Sequence, residues 1–145
     1  MLLRFSGILV IIALFGCGKD KLETRPSIKF KSVNSTEIFR GMRLEVFLEF
    51  SDKEGDLSLG EVVYFRDRLN LKPPPPLTDK ADTVFYSLAE FPVRSTGEIQ
   101  VNIPYDFMDE DLNDDDTMMF RFSVKDAMGN VSDTIDSPIV IARGS

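Results

Sequence analysis

Two short runs carry the side chains best suited to chemistry. Phe50-Ser51-Asp52-Lys53-Glu54-Gly55-Asp56-Leu57 offers three carboxylates at alternate positions. Val124-Lys125-Asp126-Ala127-Met128-Gly129-Asn130-Val131-Ser132 adds a further carboxylate and an amide. Brought together, Asp52, Glu54, Asp56, Asp126 and Asn130 would supply the oxygen ligands of a Ca²⁺ ion, which takes about six to eight at roughly 2.3–2.6 Å. Repulsion among uncompensated carboxylates also favours a bound cation. The same residue types build turns, because Asp and Asn bond their own backbone and Gly tolerates positive φ. Both readings stand at this level. An EF-hand is excluded: Gly55 falls one place early, and the position where that loop needs its last carboxylate is Val63.

Other chemistries lack their groups. The chain has 0 His, which removes Ser-His-Asp and Cys-His catalysis and histidine metal sites. No Gly-rich loop suited to phosphate is present. A carboxylate-dependent hydrolase is the alternative enzymatic reading, with Tyr64, Tyr86 and Tyr105 as sugar contacts in a chain with no Trp. Of 145 residues, 17 are Lys or Arg and 24 are Asp or Glu. That balance argues against nucleic acid as a partner.

The single cysteine, Cys17, closes an apolar run from Phe5 to Phe15. Eleven helical residues would span about 16 Å, against a hydrocarbon core of roughly 30 Å, which suits a secretory segment and not a membrane span. Leu14-Phe15-Gly16-Cys17 resembles the bacterial lipobox, with Phe15 bulkier than is usual at its position. The resemblance implies a signal peptide over 1–16, acylation of Cys17, and a membrane partner reached through that anchor. Residues 17–26 then read as a polar tether, and 27–145 as the folded domain. Gly18 after the cysteine implies sorting to the outer membrane, on either its periplasmic or its surface face. With Cys17 acylated, no disulfide can form, and the fold must rest on its apolar core.

The elements that would position the acidic runs read as strands. Period-two patterning marks Ser27–Val33, Arg43–Phe50, Glu61–Asp67, Thr83–Leu88, Glu98–Ile103, Met118–Val124 and Thr134–Ala142, separated by Gly, Pro, Asn and Asp. No window in the domain carries a helical stripe. About seven strands in a domain of this size predict an all-β, immunoglobulin-like antiparallel sandwich, with a small jelly roll or barrel as the alternative. A strand ending in D-x-E-G-D-L (Asp52–Leu57), with a late strand ending in V-x-D-x-x-G-N-x-S (Val124–Ser132), resembles bacterial immunoglobulin-like and cadherin-like surface domains. The likeness is nearest to small lipoproteins of Bacteroidetes type. It implies a non-enzymatic, lipid-anchored binding or assembly domain of the cell envelope, with an envelope protein as partner. An accessory glycan-binding role in an outer-membrane uptake complex is the alternative.

Immunoglobulin-like topology places the two acidic runs, and the start of the domain, at one end of the sandwich. The acidic run Asp109–Asp116 and the C-terminus would lie at the other. That run reads as a solvated loop, with a second cation site or a docking patch for a basic partner as alternatives; Leu112 interrupts it, so part of the loop is expected to fold back on the core. Pro73-Pro74-Pro75-Pro76 reads as a stiff spacer along a sandwich edge. Asp82-Thr83-Val84, Asp116-Thr117-Met118 and Asp133-Thr134-Ile135 resemble a Bacteroidetes O-glycosylation pattern, which makes Thr83, Thr117 and Thr134 candidate acceptors.

Overall fold

The computed structural model describes residues 24–73 and 81–144. Cys17, the lipobox, most of the tether and Pro74–Lys80 lie outside them. Among the described residues no helix is long and apolar enough to cross a membrane.

Two sheets face each other. The smaller has the order β1-β3-β6, from β1 (Ser27–Val33), β3 (Arg43–Ser51) and β6 (Thr96–Pro104). The larger has the order β2-β9-β7-β4-β5, from β2 (Glu37–Ile38), β9 (Val140–Ala142), β7 (Asp116–Lys125), β4 (Glu61–Arg68) and β5 (Thr83–Ser87); β8 (Ile135–Asp136) also pairs with β7. All these pairs are antiparallel except β2 with β9. A three-stranded sheet facing a sheet in which the late strand β7 lies between β9 and β4 is the immunoglobulin-like arrangement expected from the sequence.

Strict alternation explains the layers. On β3, Leu44, Val46, Leu48 and Phe50 are buried, with Glu45 and Glu49 on the other face. They meet Ile99, Val101 and Ile103 of β6 and, across the sandwich, Val62 and Tyr64 of β4 and Phe120, Phe122 and Val124 of β7. Tyr64 packs edge-on to Phe107 at 5.8 Å and 87°, and to Phe120 at 6.2 Å and 76°, geometries that add to plain burial.

Three departures from the sequence pattern have physical causes. The last expected strand is split into β8 and β9 at Ser137-Pro138, where proline has no N–H to give the ladder. The hydroxyl of Ser137 fills the gap, accepting from Phe120 N–H at 2.9 Å. Strand β2 has two residues, too few for any period to show. The one-turn helix α1 (Tyr105–Met108) follows β6 directly, and Tyr105 donates its hydroxyl to the Arg143 carbonyl at 2.6 Å.

Candidate functional site

The loop after β3 and the loop after β7 do meet at one end of the sandwich, as the topology requires. Ala127 N–H donates to the Asp56 carbonyl at 3.1 Å and ties them together. Each loop is stapled by its own leading aspartate. Asp52, 1% exposed, accepts Glu54 N–H on Oδ1 at 3.2 Å and Leu57 N–H on Oδ2 at 2.9 Å. Asp126, 2% exposed, accepts Asn130 N–H on Oδ1 at 2.7 Å and the Asn130 amide on Oδ2 at 2.8 Å. Gly55 and Gly129 sit at φ +72° and +91°, the left-handed region that glycine enters without strain. The turn reading therefore accounts for Asp52, Asp126, Asn130 and both glycines.

Asp56 is the member that the turns leave over. Its Oδ1 is buried and has no hydrogen-bond partner. Burial, then the charge of Asp126, then that of Asp52, push its pKa up from the ordinary carboxylate range, and a hydrogen bond with Asp52 acts in the same direction. The Glu54 side chain is exposed. Among the described residues no set of three or more acidic side chains has the spacing of a metal cage.

The raised Asp56 pKa carries a sign. The folded chain holds that proton more tightly than the unfolded chain, so stability falls as pH rises from about 4 through the folded pKa. Asp56→Asn supplies an N–H donor in place of the proton. Urea unfolding from pH 4 to 7 should show the variant gaining up to about 1 kcal/mol at neutral pH, with a flatter pH dependence. A neutral-pH loss would place the charge in a favourable role.

The first described residues lie at this same end. Arg25 donates to the Val131 carbonyl at 2.8 Å and to Asp133 at 2.9 Å.

The far end differs from the solvated loop expected for Asp109–Asp116. Part of the run does fold back on the core: Asp109, Glu110 and Asp116 are buried, whereas Leu112 is 54% exposed. Asp116 accepts Glu110 N–H at 2.6 Å and Asp111 N–H at 3.0 Å on Oδ2, and the Asn70 amide at 2.5 Å on Oδ1. Glu110 meets cations supplied by the chain itself. Arg66 Nη2 lies 2.7 Å from Glu110 Oε1, and Arg68 Nε lies 2.6 Å from Glu110 Oε2. Asp82 completes the group at 3.2 Å from Arg66 and 2.5 Å from Arg68. Arg66 also donates to the Phe107 carbonyl and stacks its guanidinium 4.6 Å from that ring. Within this group two arginines face two carboxylates, Glu110 and Asp82.

The remaining candidates distribute as follows. Thr83 and Thr134 are exposed, while Thr117 is half-buried with its N–H on Asn70. Tyr64 and Tyr105 are buried in the core and cannot meet a sugar; Tyr86 is 51% exposed. Tyr86 borders a hollow of about 310 Å³ between β5 and β6, with Phe50, Leu88, Phe91 and Arg94. The sequence pattern passed over one margin: along β4–β5, Phe85 at 65% and Phe65 at 39% exposure stand on one face, and Tyr86 at 51% on the other. Period-two reading marks such residues as strand-forming without saying which margin stays open.

No family model and no curated protein matches the chain. Among solved structures, a cohesin module from a family 33 glycoside hydrolase of Clostridium perfringens has a TM-score of 0.42 at 12% identity, over 84% of this chain and 99% of that one. A β-glucosidase from Listeria innocua in complex with glucose gives 0.39 at 12%, over 83% and 16%. The sporulation control protein Spo0M of Bacillus subtilis gives 0.41 at 8%, over 83% and 50%. Likenesses this distant carry no function across to the present chain.

Proposed function

We propose that this chain is a non-enzymatic binding or assembly domain of the cell envelope, held at the outer membrane by acyl chains on Cys17. One observation carries the reading. The polar side chains equipped for chemistry, among them Asp52, Asp126, Arg66, Glu110 and Asp116, are bonded into the fold. Apolar aromatic side chains stand exposed at the β4–β5 margin. A fold that consumes its acids and presents aromatics is suited to contact and not to catalysis. An envelope protein or a glycan is the partner class, and the end that carries Arg25 faces the membrane.

Calcium belongs to the same proposal as a stabiliser at the loop end that would draw these carboxylates together, since as placed they form no cage. The buried, unbonded Asp56 Oδ1, with Asp52 and Asp126 beside it, is what favours it.

Growth with an alkyne-tagged palmitate tests the anchor. The wild-type chain should take up label and partition with the outer membrane, and Cys17→Ser should lose both. Equal labelling of the two, or none in either, would remove lipidation from the reading.

A further inference from the structure

Among the described residues strand β5 is an open edge with a self-complementary sequence, and we propose that it pairs antiparallel with β5 of a second copy of this chain, centred on Phe85. The inference rests on the binding-or-assembly reading and names its partner.

The register follows from the ladder. Among the described residues β5 ends the larger sheet and pairs only with β4. Leu88 N–H donates to the Gly60 carbonyl and Arg66 N–H to the Asp82 carbonyl, each at 2.8 Å. Hydrogen-bonded pairs alternate along an antiparallel ladder, so Val84 and Tyr86 turn their backbone groups to β4. Thr83, Phe85 and Ser87 turn theirs to the open edge. A two-fold axis at Phe85 sets Phe85 opposite itself and Thr83 opposite Ser87. Every outward N–H then meets a carbonyl.

The side chains agree with that register. Phe85 faces Phe85 and Thr83 faces Ser87 on the outer surface, and Val84 faces Tyr86 on the inner one. Aromatic pairs and hydroxyl pairs are favourable cross-strand neighbours, and no like charges are opposed because Thr83–Ser87 carries none. Natural edges are usually guarded by lysine, proline or a bulge. β5 has no lysine or proline, and its pairing with β4 runs without a bulge.

Area sets the strength. Two aromatic side chains of about 200 Å² each, exposed by 65% and 51%, plus the strand backbone, amount to roughly 400 Å² per copy, against about 800 Å² in a standard interface. Pairing is therefore weak in dilute solution and favoured where copies are concentrated on one surface.

Single cysteines read the register directly. Facing residues of a hydrogen-bonded pair lie about 5.5 Å apart at Cα, within disulfide reach. In the full chain carrying Cys17→Ser, Thr83→Cys mixed with Ser87→Cys should form the mixed disulfide under mild oxidation at least about tenfold faster than either variant alone. Adding Phe85→Lys to both should abolish it while circular dichroism stays native. The comparison cancels any general association through the apolar N-terminal run. Equal rates for mixed and single samples would overturn the pairing, as would a mixed rate no higher than that of Lys53→Cys on the distant loop. Either result would leave the palmitate experiment free to support or sink the anchored-domain reading on its own.

Discussion

Glu110→Ala should lower the melting temperature by roughly 10–20 °C, a loss of about 3–5 kcal/mol. Glu110 has 3% side-chain exposure and Arg66 has 0%. Removing the carboxylate leaves a guanidinium that cannot reach water and has lost a buried counter-charge, with the Phe107 carbonyl and Asp82 among its remaining polar partners. Asp82, 31% exposed and shared with Arg68, cannot replace a buried counter-charge. Domains of this size are stable by about 5–15 kcal/mol, so the variant sits near the threshold of folding. Lys31 and Glu98 provide the contrast. Their side chains are 49% and 41% exposed, and Glu98→Ala should leave the urea midpoint close to that of the wild type. Urea titrations of both variants separate the cases, because a shift in midpoint at constant slope reports stability alone. Glu110→Ala combined with Arg66→Met should recover part of the loss, since it removes the stranded charge and keeps an apolar filler in its place. A Glu110→Ala midpoint close to that of Glu98→Ala would mean that water enters the cluster and solvates Arg66.

That cluster also marks where sequence reading stopped. The sandwich was legible because alternation places one residue in two on a face, and Leu44, Val46, Leu48 and Phe50 advertise theirs. The juxtaposition of the two acidic loops followed from strand order alone. On β4 the same alternation puts Val62 and Tyr64 inward and then Arg66, a residue type that any polarity pattern assigns to solvent. Its burial depends on a partner strand and loop far along the chain; Arg68 and Glu110 are 42 positions apart. The run Asp109–Asp116 looks like a solvated tail because composition counts charges and cannot see which are answered. Leu112 illustrates the same limit from the other side. It is apolar in an acidic run, yet exposed, because Met108 and the neighbouring acids take the inward positions. The open β5 edge was hidden for a related reason. Thr83–Ser87 reads as a good strand, and only the sheet order shows that one side of it has no neighbour among the described residues.

Asp52 tests what the loop end is for, and the outcomes diverge by substituent. Asp52→Ala should cost about 2–4 kcal/mol in EGTA, because the Leu57 N–H loses its acceptor beside a fully buried side chain and the Glu54 N–H loses its own. Asp52→Asn keeps one side-chain oxygen as an acceptor, so the turn survives in part and the cost should fall to about 1 kcal/mol. The two variants thus measure the turn. Calcium is measured by a second axis, the change in melting temperature between EGTA and millimolar Ca²⁺. If the ion binds at Asp52, Asp56 and Asp126, wild-type stability rises with the logarithm of Ca²⁺ concentration above the dissociation constant, and both variants lose that rise. Asp56→Asn should lose it too while remaining well folded, since Asp56 supports no turn through its Oδ1. A wild-type melting temperature that ignores Ca²⁺ would end the calcium proposal. The acidic pair would then stand as two turns pressed together, with Asp56 the carboxylate whose charge its burial and its neighbours Asp126 and Asp52 disfavour.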